Sequence, residues 1–256
     1  MPFFGRSMPG RRLMPQYRLD LEYDGTDFRG WQIQPEERTV QAELESRLKT
    51  LFGQEVRTTA AGRTDTGVHA LGQVVSFSGP KSIEPADLAK SLNGMLPPDA
   101  VVRKASVAAA NFNARFSATG REYVYDIAYG DRAVGRAYAW SRRDVLDLNA
   151  MREAAQPVLG HHDFTSFCVA AKERESRDCD IRVCRWDPQD LGLRLTIEAN
   201  RFVRSMVRSL VGTFVDIGRG FRIAAEMQDI LEAKDRSHAG PTAPPHGLFL
   251  SRVDYD

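Results

Sequence analysis

Between residues 61 and 70 the chain reads AGRTDTGVHA, with small residues and glycines around an arginine, a carboxylate and a histidine. Gly62 and Gly67 permit backbone conformations that other residues resist, so they can present Arg63 and Asp65 on a sharp, accessible bend. A carboxylate there could act as a nucleophile or a general base. The same residues equally describe a turn in which Asp65 caps a helix or bonds its own backbone, and residue types alone leave both readings standing. His69, four residues after Asp65, suggests an acid–base pair, but Gly67 between them argues against a regular helix, so His69 is read as structural. A second candidate is RFVRSMVRSLVGTFVDIG, residues 201–218. On one helix, Arg201, Arg204 and Arg208 fall within an arc of about 60°, opposite Phe202, Val203, Met206, Val207, Leu210, Val211 and Phe214. Such a stripe is either a solvated face or a source of guanidinium that holds a nearby carboxylate ionised. Tyr123 is either a core residue of its strand or a platform on which a nucleobase could stack. No P-loop, GxGxxG or HExxH is present, which removes the commonest nucleotide-hydrolase, dinucleotide and zinc-protease readings.

These residues need elements to hold them. YRLDLEYD at 17–24 alternates Tyr17, Leu19, Leu21 and Tyr23 with polar partners, the period of a half-buried strand. Val40, Leu44, Leu48, Leu51 and Phe52 recur at helical spacing before Gly53, which predicts an amphipathic helix over 40–52. Short strands at 55–60 and 73–77 flank the loop with Asp65, a helix begins at Pro85 and runs to Asn93, and 101–107 returns as a strand. After the link NFNARFSATG a second half restarts with REYVYDIAY, where Tyr123, Tyr125, Ile127 and Tyr129 share a face. A helix near 148–159 and strands near 178–186 and 192–199 follow. Antiparallel strands with helices on one side predict an α+β fold, read as a flexible basic tail over 1–15, one lobe over 16–113 and another over 114–256.

Composition narrows function less than the motifs do. With 42% hydrophobic and 27% charged residues among 256, the chain can bury a substantial core. No apolar run is long enough for a membrane span, and the first residues lack the apolar core of a secretory signal, so a soluble, cytoplasmic protein is expected. Cys168, Cys179 and Cys184 cannot all pair within one chain, and reduced thiols are expected. Cys179 and Cys184 stand an odd number of residues apart, so a regular strand would point them to opposite faces. With no CxxC, no metal site is expected. A net charge of +1 announces no nucleic-acid partner, although Arg6, Arg11, Arg12 and Arg18 precede the first acid, Asp20.

Read together, GRTDTGVHA at 62–70, QVVSF at 73–77, ARFSATGREYVY at 114–125, DFTSF at 163–167, RFVRSMVRSLVG at 201–212 and GLFLSRVDY at 247–255 resemble the tRNA pseudouridine synthase A family. The likeness runs from YRLDLEYDGTDFRGWQ to the last strand. It implies a pseudouridine-synthase fold, a mixed and largely antiparallel sheet from two ferredoxin-like halves with a cleft between them. It also implies a homodimer that holds tRNA across both subunits, a reaction at uridines 38, 39 and 40 of the anticodon stem-loop, and no metal or organic cofactor. The family's catalytic aspartate falls on Asp65, the arginine that fills the space left by the flipped base on Arg63, the stacking tyrosine on Tyr123, and the basic partner of the aspartate on Arg208. A pair between Asp65 and Arg208 is therefore expected. Arg201 and Arg204 are secondary candidates for tRNA contact. Affinity should come from shape and phosphates, and weaken as salt rises.

Overall fold

A computed structural model describes residues 14–169 and 176–256. Most of the tail expected over 1–15, including Arg6, Arg11 and Arg12, lies outside the described residues. The first strand, β1 (Gln16–Tyr23), buries every second residue, Tyr17, Leu19, Leu21 and Tyr23, as its alternation requires. It pairs antiparallel with β3 (His69–Ser78) on one side and β4 (Ala100–Ala108) on the other. Between them lie α1 (Val40–Phe52), capped by the Thr39 hydroxyl and closed by Gly53 at φ 74°, and α2 (Pro85–Asn93).

The strand expected over 55–60 shortens to β2 (Thr59–Ala60). The reason lies in α1: the buried Glu45 carboxylate accepts both the Thr58 backbone N–H and the Thr58 hydroxyl at 2.9 Å, and Arg57 pairs with its other oxygen at 3.0 Å. A donor bound to a helix carboxylate is lost to the sheet.

The second half supplies β5 (Ala118–Tyr129), β6 (Trp140–Arg142), α3 (Leu148–Ala155), β7 (Gly160–Asp163), β8 (Asp178–Gln189), β9 (Gly192–Ala199), α4 (Met206–Gly218), α5 (Glu226–Ala233) and β10 (Leu248–Tyr255). The ten strands of the described residues form one sheet, eight of them along the path β4-β1-β3-β10-β5-β9-β8-β7, with the short β2 paired to β3 and β6 to β5. All neighbours on that path are antiparallel except β10 with β3, so the fold is α+β with a mixed, largely antiparallel sheet. The last strand of the chain thus sits at the centre, between β3 and β5. The helix expected over 148–159 ends at Ala155 and tightens to a 3₁₀ turn over Gln156–Val158, where Pro157 offers no N–H.

Two further expectations are corrected. Cys179 and Cys184 both face the core, because a register shift between Ile181 and Val183 inserts a residue and reverses the parity of β8. The helix expected from residue 201 begins at Met206. Ser205 stands in the left-handed region, at φ 59° and ψ 12°, and a right-handed helix cannot pass through it. Arg201 and Arg204 therefore lie on the irregular segment between β9 and α4, and only Arg208 belongs to the helix.

Candidate active site

The loop between β2 and β3 is built from both flanks. Ala61 N donates to Val74 O at 2.8 Å, and the buried Gln73 amide donates to Gly62 O at 2.8 Å. From beneath, the segment after β1 grips the tip: Trp31 N donates to Thr64 O at 3.1 Å, Gly67 N to Phe28 O at 3.2 Å, and the Tyr23 and Thr64 hydroxyls meet at 2.8 Å. Gly67, at φ 76°, has the left-handed backbone expected of it. Gly62 does not. The other glycine the bend requires is Gly30, where a Cβ would stand 2.7 Å from Thr64 O.

This frame presents the Asp65 side chain, about one third exposed, to residues far away in the sequence. Ser205 Oγ donates to Asp65 Oδ2 at 2.8 Å and Arg208 Nη1 to the same oxygen at 3.2 Å. The Asp65 side chain thus reaches across the fold, while its own backbone carbonyl accepts Val68 N to close the turn. Arg208 is fixed in turn, since its Nε donates to Ala243 O at 2.8 Å and its carbonyl accepts Ala243 N at 3.0 Å. The strap over 240–245 lies this close because α4 has Gly212 beneath it; a Cβ there would fall 1.6 Å from Pro241 O.

Tyr123 comes from the middle of β5. Its ring meets that of Phe202 nearly at right angles, with centroids 5.1 Å apart, and its hydroxyl lies beside Gly62. Burial pushes its phenol well above the ordinary tyrosine range, and the negative charge of Asp65 adds to the effect, so Tyr123 is a neutral phenol at physiological pH. Arg63 is exposed. Its guanidinium has no hydrogen-bond or ion-pair partner among the described residues. Asp65 and Arg208 are thus in direct contact, Tyr123 lines the same region, and Arg63 projects from the loop into solvent.

His69 lies on the other side of the loop, buried. Its Nδ1 accepts Gly25 N at 3.0 Å and its Nε2 reaches Ala137 O at 3.0 Å, an arrangement suited to the neutral tautomer protonated on Nε2. The ring stacks on Phe249 at 4.7 Å. These contacts hold β3 to β10 and to the loop at 137.

Two residues that the sequence did not single out organise the region. One is Ser205. The other is Arg121, buried on β5, whose guanidinium donates to Ala61 O, Arg115 O, Ala118 O and Asn200 O at 2.6–3.3 Å. Burial lowers its pKa, and nearby Arg115 and Arg201 act in the same direction. Nothing local marks it: in REYVY it reads as the polar neighbour of a strand tyrosine.

Most exposed arginines of the fold meet carboxylates, as Arg29 does with Glu37, Arg103 with Glu22 and Arg143 with Asp131. Among the described residues, the arginines whose guanidinium meets no oxygen at all are Arg63, Arg115, Arg201 and Arg204. Arg63 is two residues from Asp65, Arg204 precedes Ser205, and the backbones carrying Arg115 and Arg201 are tied to Arg121 directly or through the neighbouring Asn200. These four guanidinium groups, without an oxygen partner, thus stand on the Asp65 loop or on segments tied to Ser205 and Arg121, although the whole chain is nearly neutral.

One carboxylate, fixed by a guanidinium and a hydroxyl, with arginines lacking an oxygen partner on its own loop and on the segment before Ser205, suits an enzyme that performs acid–base or nucleophilic chemistry on a polyanion. Comparison with known proteins identifies which kind. The chain belongs to the tRNA pseudouridine synthase family, whose family model matches residues 21–117 and 154–256, and it is an isomerase acting on tRNA. It is 46% identical over 243 residues to a tRNA pseudouridine synthase A of Halalkalibacterium halodurans, covering 93% of this chain and 92% of the relative. It is 43% identical over 245 residues to that of Anoxybacillus flavithermus, covering 95% of this chain and all of the relative. With that of Thermosipho africanus the identity is 41% over 242 residues, covering 94% of this chain and 99% of the relative.

Proposed function

We propose that this enzyme converts uridine to pseudouridine at positions 38, 39 and 40 in the anticodon stem-loop of tRNA, with Asp65 as its catalytic carboxylate. The observation that carries this reading is the Asp65–Arg208 contact at 3.2 Å, set among four arginines without counter-ions. The reaction cleaves the N1–C1′ bond of uridine, turns the uracil and joins C5 to C1′. Atoms and electrons balance within the nucleotide, so no co-reactant is needed.

A stacked, paired uridine hides C1′ and C6 from any side chain, so the nucleotide must leave the stem, at a cost of a few kcal/mol. Arg63, exposed and without a partner, suits the space the base vacates. Tyr123 suits stacking on the extruded base, and as a neutral phenol it can donate a hydrogen bond to it. Arg208 pairs directly with Asp65 at 3.2 Å and so offsets its charge in a site where phosphates gather. Arg115, Arg201 and Arg204 supply backbone contacts, consistent with recognition by shape and phosphate. The lobes 16–113 and 114–256 hold the RNA between them, two copies of the chain form the functional homodimer, and the enzyme acts in the cytoplasm.

The test incubates unmodified tRNA transcript with wild type and with Asp65→Ala in buffer containing a chelator, then maps pseudouridine along the anticodon arm. Modification at positions 38–40 by wild type alone is expected. Modification elsewhere in the tRNA would refute the site assignment, and activity in Asp65→Ala would refute the role of Asp65.

A further inference from the structure

Three residues other than glycine have a positive φ among those described: Glu36, Ser205 and Lys234. Lys234 follows the end of α5, where a left-handed residue is common, and Glu36 lies in an exposed turn. Ser205 is different. It occupies the position before the first turn of α4, where a serine ordinarily adopts an extended backbone and turns its hydroxyl back to cap the helix. Here the backbone is left-handed, at φ 59° and ψ 12°, and the helix receives no side-chain cap. The hydroxyl instead donates to Asp65 Oδ2 at 2.8 Å, 140 positions away in the sequence.

The local cost is therefore double, an unfavourable backbone conformation and a forgone cap, and both follow from aiming one hydroxyl at one carboxylate oxygen. Arg208 donates to that same oxygen at 3.2 Å, while among the described residues no donor reaches Oδ1. Two donors on Oδ2, arriving from neighbouring positions of one helix start, fix the plane of the carboxylate and make its oxygens unequal.

We infer that Ser205 is a positioning residue for the isomerisation: with Arg208 it anchors Oδ2 and leaves Oδ1 as the oxygen that meets the nucleotide. This rests on the assignment of Asp65 as the catalytic carboxylate. A mobile carboxylate would present either oxygen, at varying angles, to an extruded uridine; a carboxylate pinned at Oδ2 presents one.

The discriminating variants are Ser205→Gly and Ser205→Asn, measured beside Asp65→Ala. Glycine accepts φ 59° without strain, so Ser205→Gly removes the hydroxyl without harming the fold. Asparagine tolerates the left-handed region and offers an amide donor. Single-turnover rates at saturating enzyme, the Kd for unmodified tRNA transcript and the thermal midpoint are measured for each. The expected result is a rate about tenfold lower in Ser205→Gly, an unchanged Kd, a midpoint equal to or above wild type, and partial recovery of rate in Ser205→Asn. A wild-type rate in Ser205→Gly while Asp65→Ala is inactive would overturn the inference and leave the catalytic assignment standing. A loss in Ser205→Gly confined to Kd or to the midpoint would also overturn it, since that is a binding or structural role. Activity in Asp65→Ala would remove the assignment on which the inference rests.

Discussion

Removal of the Arg121 guanidinium tests whether one buried cation holds the site together. Its planar fork meets the carbonyls of Ala61 at the root of the Asp65 loop, Arg115 and Ala118 in the segment entering β5, and Asn200 where the chain leaves β9 toward Ser205. Arg121→Met keeps the length and apolar bulk of the stem but deletes every donor. Four carbonyls lose a partner at about 1 kcal/mol each, and relief of the cation's desolvation returns part of that, so the net loss is about 3 kcal/mol. For a chain of this size, that lowers the thermal midpoint by about 6–12 °C. Most molecules remain folded at 25 °C, but the Asp65 loop and the strand bearing Tyr123 lose their common anchor. A displacement near 1 Å there costs up to about 100-fold in rate. Arg121→Lys keeps the charge and reaches fewer of the four carbonyls, so it falls between wild type and Arg121→Met in both respects. Urea denaturation followed by tryptophan fluorescence, with single-turnover kinetics on tRNA transcript, measures both effects. An Arg121→Met protein within 1 kcal/mol of wild type and within twofold of its rate would refute the reasoning.

Gly212→Ala sets helix propensity against packing. Propensity alone predicts a gain of about 1 kcal/mol, but the new methyl would overlap Pro241 O and push away the strap that orients Arg208. A net loss of about 2 kcal/mol is expected; a raised thermal midpoint would show that the strap yields freely. His69 predicts a pH dependence of stability. Burial depresses its pKa below the ordinary 6.5, against a smaller opposing effect of Asp24, so the unfolded chain binds a proton that the folded chain refuses. The stabilisation is complete above about pH 6.5 and is lost as pH falls below it, at up to about 1.4 kcal/mol per pH unit, with His246 acting in the same direction. Urea midpoints at pH 7 and 5.5 should show this slope in wild type and a shallower one in His69→Gln; equal slopes would mean that other groups cause it.

Much of the frame was legible because its causes are local. The alternation of β1, the helical period of α1 with its stop at Gly53 and the turn at Gly67 each depend on residues within a few positions of one another. What escaped depends on contacts across the fold. The strand expected at 55–58 is lost to Glu45, which is recognisable as a competitor only once α1 is docked. A bulge in β8 reverses the expected facing of Cys184. The helical period of 201–218 was genuine from Met206 onward, and what stopped it from starting earlier is a serine whose partner lies in the other half of the chain. For the same reason Asp65 stood undecided between a turn residue and a reactive carboxylate when read by itself, since Ser205 and Arg208 are more than 130 residues away. Arg121 was invisible because an arginine in an alternating strand looks like surface.

Charge illustrates the same limit and also explains the site. A sum of +1 over 256 residues says nothing of where counter-ions are missing. Exposed pairs such as Arg143 with Asp131 cancel at short range and contribute little field a Debye length away, about 8 Å at physiological salt. Arg63, Arg115, Arg201 and Arg204 have no such cancellation. Arg208 offsets the charge of Asp65 by direct contact, and the four outer arginines take no part in that pair. Placement of cations without a partner, rather than the net charge, is therefore what the sum over the sequence conceals.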